Sequence, residues 1–430
     1  MQAFILAGGK GTRLSPITKD IIPKPMAVID GKPIIERTIL NLREYGITDI
    51  YISVGHLHEK IEEHLGDGSK FGVSITYIVE KEPLGSGGAL FFVKDKIVED
   101  FVICTADAIF DIDIDRMHSY HKQNEALITL FTHPNTHPYD SDLILTDINH
   151  RVMEINSKNS TRDFFYKNNV NAGFIIASPQ TLEYFTEAKP TSLEQEYVNS
   201  FIKTNRVFAY KSPEYIKDVG TPERFASGER DLKEGIVAMK NLKRKQKAIF
   251  LDRDGTINKF RGFITKAEQI ELIDGVIEAI KKINQNGYLA IIITNQAVIA
   301  RGECTFEGMD EIFAKIETQL GEQGAFIDGI YFCPHHPDAG FEGEVRELKI
   351  KCDCRKPDIG MIKRAEKDFN LDLSKCYMIG DTYFDVQTAI NAGIYSVQVE
   401  SDAPEKDKHG ATPTHYAKNL LEAVDIIIKN

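Results

Sequence analysis

The chain has no tryptophan, and its six cysteines show no framework spacing that would suggest disulfide staples. Cys104, Cys304 and Cys376 are scattered singly, and Cys352 and Cys354 lie too close together to staple one another. A reducing compartment with some metal use is therefore expected. No apolar run approaches the roughly 20 residues that span a bilayer. The N-terminus enters a strand-like segment at once, without the basic, apolar and small-residue regions of a signal peptide, so the expected location is cytoplasmic. Basic residues are outnumbered by acidic ones, 52 to 64. A net charge of −12 disfavours nucleic acid or an anionic membrane as partner, because both select a basic face. An anionic substrate would have to be held by local cations, backbone N–H groups and divalent metals.

The 430 residues, 42% hydrophobic and 27% charged, suit a globular protein of two domains of roughly 180–240 residues each. Apolar runs of strand length alternate with helix-period stretches, the α/β pattern. Short strands crowd residues 143–177, which predicts a mixed sheet there. A polar, basic stretch at 236–246 reads as a helix end and linker rather than an anion-binding patch. The alternation then restarts at residue 247. The domains expected are 1–235, a linker at 236–246, and 247–430.

Each half carries a phosphate-handling signature. In the first, a strand empties into Gly8, Gly9 and Gly11, followed by Thr12 and Arg13, and Lys24 follows between two prolines. Glycine lets a backbone turn its N–H groups toward a pyrophosphate. Arg13 offers a planar fork, and Lys24 a point charge on a stiff flank. The loop lacks the GK[ST] ending of a Walker A motif, which disfavours a P-loop ATPase. In the second half, KAIFLDRDGT (247–256) runs a buried-type strand into Asp252 and Asp254. Thr294 ends LAIIIT, Lys356 lies in CRKP, and Asp381 lies in MIGDTYFDV. Such a strand emptying into a pair of aspartates suits taking a phosphoryl group onto a carboxylate. Cys333-x-His335, sixteen residues and Cys352-x-Cys354 supply four ligands with no slot left open, the pattern of a structural Zn²⁺ site. His336 is the lesser alternative to His335.

Together with EPLGSGGAL (82–90), TAD (105–107), NAGF (171–174) and DVGTPERF (218–225), the first constellation resembles the sugar-1-phosphate nucleotidyltransferases. The resemblance implies a Rossmann-like domain with a mixed sheet. It implies nucleotide contacts from Leu6, Gly8, Gly9, Gly11, Thr12, Arg13, Glu80 and Gly85, and Mg²⁺ on Asp107 and Asp218. Arg13 and Lys24 would stabilise charge as a sugar phosphate attacks the α-phosphorus. Asn171, Gly173 and Lys158 would face the sugar phosphate. Ser157 stands where that family often has an acid.

The second constellation resembles the haloacid dehalogenase phosphohydrolases, and with TNQ (294–296), IARG (299–302) and the zinc loop it is similar to heptose 1,7-bisphosphate 7-phosphatases. Histidinol-phosphate phosphatases share that loop. This implies a parallel α/β domain, an ionised Asp252 that attacks phosphorus, a protonated Asp254 that serves the leaving oxygen and then water, Mg²⁺ on Asp252, Asp254 and Asp381, and phosphate contacts from Thr294 and Lys356. Asn295, Gln296, Arg355 and the FRGF segment (260–263) would help to hold the sugar phosphate. Ala297 and Val298 replace the Ser-Gly that usually follows TNQ.

A nucleotidyltransferase is of no use to histidinol phosphate, whereas a heptose bisphosphate stripped of its 7-phosphate leaves a heptose 1-phosphate to be activated. The first half is similar to the guanylyltransferase branch that makes GDP-D-glycero-α-D-manno-heptose, and this resemblance implies a bifunctional enzyme using D-glycero-α-D-manno-heptose 1,7-bisphosphate, heptose 1-phosphate and GTP, with Mg²⁺ in both domains. It would have no nucleic-acid or membrane partner, and a homo-oligomer is compatible with it. The alternatives are a hexose phosphate, CTP or UTP, or a histidinol-phosphate-type phosphatase with a non-catalytic sensor or scaffold at its N-terminus.

Overall fold

The computed structural model describes residues 1–9, 11–340, 342–400 and 410–429. They form two compact units. The first comprises Met1–His133, Asp142–Ser157 and Asn171–Asn241. The second comprises Leu242–Asn430 together with two excursions from the first half of the sequence, Pro134–Ser141 and Lys158–Val170. The break at 241/242 falls inside the stretch expected as linker, and Ile236–Met239 is a helical turn.

The first unit is built on a mixed sheet, as the short strands at 143–177 predict. Gln2–Ala7 lies between the parallel strands Asp49–Val54 and Phe101–Thr105, with Ser74–Val79 continuing the parallel side. Val170–Ala177 runs antiparallel to Phe101–Thr105 and leads to the Leu143–Thr146 and Val152–Asn156 pair. Apolar side chains at nearly every position of the central strands are buried on both faces, against two separate clusters. A small antiparallel pair, Ala108–Asp111 with Tyr215–Asp218, aligns Asp218 with Ala108. That register brings Asp218 beside Asp107, and the Val219 N–H donates to the Asp107 carbonyl at 3.0 Å.

The second unit is an all-parallel sheet in the order Gly329–Cys333, Leu289–Asn295, Ala248–Leu251, Tyr377–Gly380, Tyr395–Val399, His415–Ala417. Helices such as Val276–Gln285, Phe306–Glu322, Gly360–Phe369 and Tyr383–Ala392 cover it, burying both faces of its mostly apolar central strands. Asp252, Thr294, Gln296, Cys333 and Asp381 all lie at the carboxyl ends of strands, where open α/β sheets place ligands.

The excursions pack on the helix Phe306–Glu322. Thr318 Oγ1 accepts from the Tyr166 N–H (2.8 Å), and the Asn168 N–H donates to Glu317 Oε2 (2.5 Å). Arg162 ties the two excursions together through the Pro138 and Ser141 carbonyls at 2.8 and 2.6 Å. Among the described residues no helix is long and apolar enough to cross a membrane.

Candidate active sites and zinc centre

In the second unit Asp252, the residue after the strand Ala248–Leu251, comes within ligand distance of Asp381 and Asp385, all three buried. Lys356, 3% exposed, places its ammonium 2.9 Å from Asp252 Oδ1 and 2.5 Å from Asp385 Oδ1. Three buried carboxylates against one ammonium leave uncompensated negative charge, so the donor set fits a hard divalent cation such as Mg²⁺. Burial and the Asp385 charge push Asp252 well above the usual carboxylate range, while Lys356 opposes the shift. Burial alone would lower Lys356, but the attraction of Asp252 and Asp385 outweighs it and raises the lysine.

Asp254 is placed differently from the sequence expectation. Its carboxylate is turned onto Arg253, whose Nη2 lies 2.9 and 2.7 Å from the two oxygens and whose Nε lies 3.1 Å from each. The Asn258 and Gln296 side-chain amides donate to it as well, each at 3.0 Å. Burial would raise Asp254, yet Arg253 and these donors hold it below the usual range. The protonated acid expected from the sequence is thus disfavoured. The side chain that joins Asp252 and Asp381 is that of Asp385, not Asp254. Arg253 itself is fully buried, with Nη1 3.4 Å from Met309 Sδ and its guanidinium 5.9 Å from the Phe313 ring centre.

Asn295 and Gln296 act on neighbours. Asn295 Oδ1 accepts from the Lys356 N–H (2.9 Å) and its Nδ2 donates to the Lys356 carbonyl (3.1 Å), fixing the lysine's backbone. Gln296 also donates to Thr294 Oγ1 at 2.8 Å. Sequence reasoning passed over Asp385, although a second acid four residues after Asp381 was its signal, and Arg253, in plain view between the two aspartates.

The four expected zinc ligands converge. Cys354 Sγ is 3.1 Å from Cys333 Sγ and 3.3 Å from Cys352 Sγ, and Cys333 and Cys352 are 3.5 Å apart. His335 Nδ1 lies 3.3 Å from Cys354 and 3.7 Å from Cys333. A tetrahedron around zinc with Zn–S near 2.3 Å has edges of about 3.7 Å, so these four donors could hold the ion after a small expansion. His336 instead accepts from the Asp338 N–H through Nδ1. Arg355 donates to the His335 carbonyl (3.2 Å), which ties the expected sugar-facing arginine to the loop.

In the first unit the Gly-rich loop passes close under its neighbours. A Cβ on Gly8 would lie 2.6 Å from Glu80 Oε1, and one on Gly55 would lie 2.8 Å from the Gly8 carbonyl. Glu80 is itself held by Ser53 (2.6 Å) and the Leu84 N–H (3.0 Å). Gly11 takes φ +65° at the start of the turn Thr12–Leu14, which leaves Thr12 and Arg13 exposed. Leu6 anchors the loop's strand, its carbonyl accepting from Ala106 at 2.9 Å. The segment around Gly85 folds onto Thr191–Leu193, with Gly87 N–H to the Thr191 carbonyl at 2.9 Å and Leu193 N–H to Ser86 Oγ at 2.8 Å.

Lys24 is buried, and its ammonium bridges the two expected metal carboxylates, bonded to Asp107 and 3.6 Å from Asp218 Oδ1. Asp218 also accepts from the Gly220 N–H (2.6 Å) and Arg224 Nη1 (2.9 Å). The two facing carboxylates suit Mg²⁺ as a donor set. Asn171 and Gly173 adjoin, the Gly173 N–H meeting Asn171 Oδ1 at 3.3 Å. Asn171 Nδ2 also reaches Glu194 Oε1 at 3.4 Å. Burial, joined by the Asp142 charge, raises Glu194, an acid that the sequence analysis did not single out. Lys158 groups with the second compact unit rather than with Asn171 and Gly173.

A glycine-rich nucleotide loop facing a carboxylate pair, and a buried aspartate–lysine centre at the ends of parallel strands, define a nucleotidyl transferase joined to a hydrolase of the haloacid dehalogenase type. Residues 2–235 match the nucleotidyl transferase family model and residues 353–423 an HAD-hydrolase-like model. The D-glycero-β-D-manno-heptose-1,7-bisphosphate 7-phosphatase of Yersinia pestis is 42% identical over 147 residues, 34% of this chain and 76% of that protein. Its Escherichia coli K12 counterpart is 40% identical, with 34% and 75% covered. The crystal structure of HddC from Yersinia pseudotuberculosis superposes with a TM-score of 0.47 and 25% identity, over 54% of this chain and 99% of HddC. The chain belongs to the nucleotidyl transferase family and, in its second unit, to the family of the heptose-bisphosphate 7-phosphatases, which makes it a bifunctional enzyme.

Proposed function

We propose that the second unit removes the 7-phosphate of D-glycero-α-D-manno-heptose 1,7-bisphosphate and that the first transfers GMP from GTP to the resulting heptose 1-phosphate, releasing pyrophosphate. The observation that carries the phosphatase half is the Asp252–Lys356–Asp385 arrangement beside Asp381. Asp252 forms the new bond to phosphorus while the bond to the sugar oxygen breaks, giving an aspartyl phosphate. Lys356 neutralises charge on the phosphoryl oxygens, and the Thr294 hydroxyl donates a hydrogen bond to them. Asp254 delivers the proton to the leaving alkoxide and later takes one from water. Because Arg253 holds Asp254 ionised in the free enzyme, the negative charge of the arriving phosphate must raise its affinity for that proton. Asp252, Asp381 and Asp385 would hold Mg²⁺, which when bound supplies the positive charge that keeps Asp252 ionised.

The transferase half needs no protein nucleophile, since the sugar phosphate attacks the α-phosphorus itself. The chain's part is alignment and charge: backbone N–H groups of the Gly8–Gly11 loop and Arg13 for the triphosphate, and Asn171 and Gly173 for the sugar phosphate. Lys24 supplies the charge facing the transferred group. Asp107 and Asp218 would hold the magnesium ion that accompanies the triphosphate. Shared use of a heptose phosphate is what supports the pairing, because the product of one reaction is the acceptor of the other. The α-anomer and GTP rest on sequence resemblance, since the phosphatase relatives are named for the β-anomer.

The test is incubation of the intact chain with the α-bisphosphate, GTP and Mg²⁺. Phosphate, pyrophosphate and a GDP-heptose of the matching mass are expected. Release of phosphate without a nucleotide sugar from any of the four common triphosphates would remove the transferase assignment.

A further inference from the structure

The Lys24 side chain is fitted to a place where a metal ion is also expected. Gly11 passes against its stem, where an added Cβ would lie 2.8 Å from the lysine Cβ. Gly220 passes against its tip, where an added Cβ would collide with the ammonium. Pro23 and Pro25 fix the backbone on either side, so any movement belongs to the flexible four-carbon stem. The lysine side chain is 9% exposed, whereas its partners Asp107 and Asp218 are 31% and 39% exposed. The ammonium therefore closes the carboxylate pair from the protein side, and the solvent side stays open. Asp218 has further donors in the Gly220 N–H and Arg224, so its position does not depend on the lysine.

We propose that Lys24 is an exchangeable counter-cation. Its ammonium holds the Asp107 and Asp218 carboxylates together in the free enzyme, then gives them up to the magnesium ion and turns to the phosphate oxygens. An ammonium and a divalent ion at one carboxylate pair repel each other, so the metal binds weakly until a polyphosphate gives the lysine a second anionic partner. Metal and nucleotide then load together, and the site does not fill with metal alone. This rests on the assignment of Asp107 and Asp218 as magnesium ligands.

The probe is Mn²⁺, with the free ion counted by electron paramagnetic resonance. The full-length chain carries Asp381→Asn to weaken the phosphatase carboxylate cluster. Without nucleotide, Lys24→Met and Lys24→Gln should each bind Mn²⁺ about tenfold or more tightly than the Lys24 parent. GTP should tighten Mn²⁺ binding markedly in the parent and much less in the variants. Equal or weaker Mn²⁺ binding by the variants overturns the proposal. A measurement on the unsubstituted chain guards against a variant that fails to fold. Mg²⁺ alone should leave the acylation of Lys24 by acetic anhydride, read by peptide mass, unchanged, whereas Mg²⁺ with GTP should alter it by moving the ammonium from the carboxylates to phosphate oxygens. A change with Mg²⁺ alone, or none with Mg²⁺ and GTP together, overturns the exchange. The two assignments fail separately: GDP-sugar synthesis without these metal effects removes only the exchange, whereas absence of nucleotidyl transfer removes the function itself.

Discussion

Both units set a buried lysine between two aspartates, yet the two centres are built for different work. Lys356 and its acids are buried at the ends of parallel strands. Lys24 is equally buried, but its acids are partly open to solvent and are brought together by the antiparallel pair Ala108–Asp111 and Tyr215–Asp218. The chemistry explains the contrast. A phosphatase of this type makes a covalent bond to its own carboxylate, which must be held rigidly against the phosphate it attacks. A nucleotidyltransferase aligns two substrates that react with each other, so an open pair of metal ligands suffices. Loss of one group should therefore be close to total in the second unit and graded in the first.

The largest effect expected is that of Asp252→Asn. With no nucleophile, phosphate release from the bisphosphate should fall by about 10⁴-fold or more. Pyrophosphate release from GTP and heptose 1-phosphate should be unchanged, and a parallel fall in both would break the separation of the sites. Next is Cys352→Ser, or chelation of zinc. Bound zinc should fall from about one ion per chain toward none, and the second unit should unfold at lower temperature with loss of phosphatase. A phosphatase that survives with its zinc removed would deny the loop its structural role.

A paired comparison of aspartate substitutions sharpens the contrast. Asp385→Asn removes one partner of the buried Lys356, and a destabilisation of about 2 kcal/mol is expected because Asp252 still pairs with it. Asp218→Asn changes a partly exposed partner of Lys24 and should cost less than about 1 kcal/mol. Urea unfolding of the full-length chain, followed separately for each unit by hydrogen exchange, measures both. Equal costs would mean that burial is not what separates the two centres.

The acids at the strand ends were legible because a nearly all-apolar run that stops at an acid has few other meanings, as in AIFLD, YMIGD and FVICTAD. The convergence of Cys333, His335, Cys352 and Cys354 was legible from spacing and softness together. What the sequence hid was side-chain direction and long-range register. Nothing local says that Arg253 folds back onto Asp254 and opposes its protonation. The meeting of Asp107 and Asp218 depends on strand pairing between segments far apart in the chain. Asp385 went unremarked in the sequence because its pairing exists only once Lys356 is delivered from another loop. The grouping of 134–141 and 158–170 with the second unit was equally hidden, since polar loops carry no periodicity that names their partner.

The last effect concerns acid stability, where the first unit has a feature of its own. His121, on the helix Ile114–Gln123, is buried between Thr129 Oγ1 (2.9 Å) and Ser178 Oγ (3.2 Å). Burial lowers it to about 4, and His118, Lys122 and Arg206 add to the shift, while Asp100 at 3.9 Å opposes it. A histidine depressed on folding contributes stability that is complete above its unfolded value near 6.5 and is lost as pH falls toward 4. The loss over that window is at most about 3 kcal/mol. Asp100, itself held low by His118 and Lys122 against its burial, gives up its contribution only at more acidic pH. Hydrogen-exchange protection of Ile114–Gln123 and Ile128–His133 should therefore fall between pH 6.5 and 4, with the strands Ala248–Leu251 and Leu289–Asn295 as internal reference. His121→Gln should flatten that dependence even if it lowers stability at neutral pH. An unchanged slope in the variant would place the acid sensitivity elsewhere in the unit.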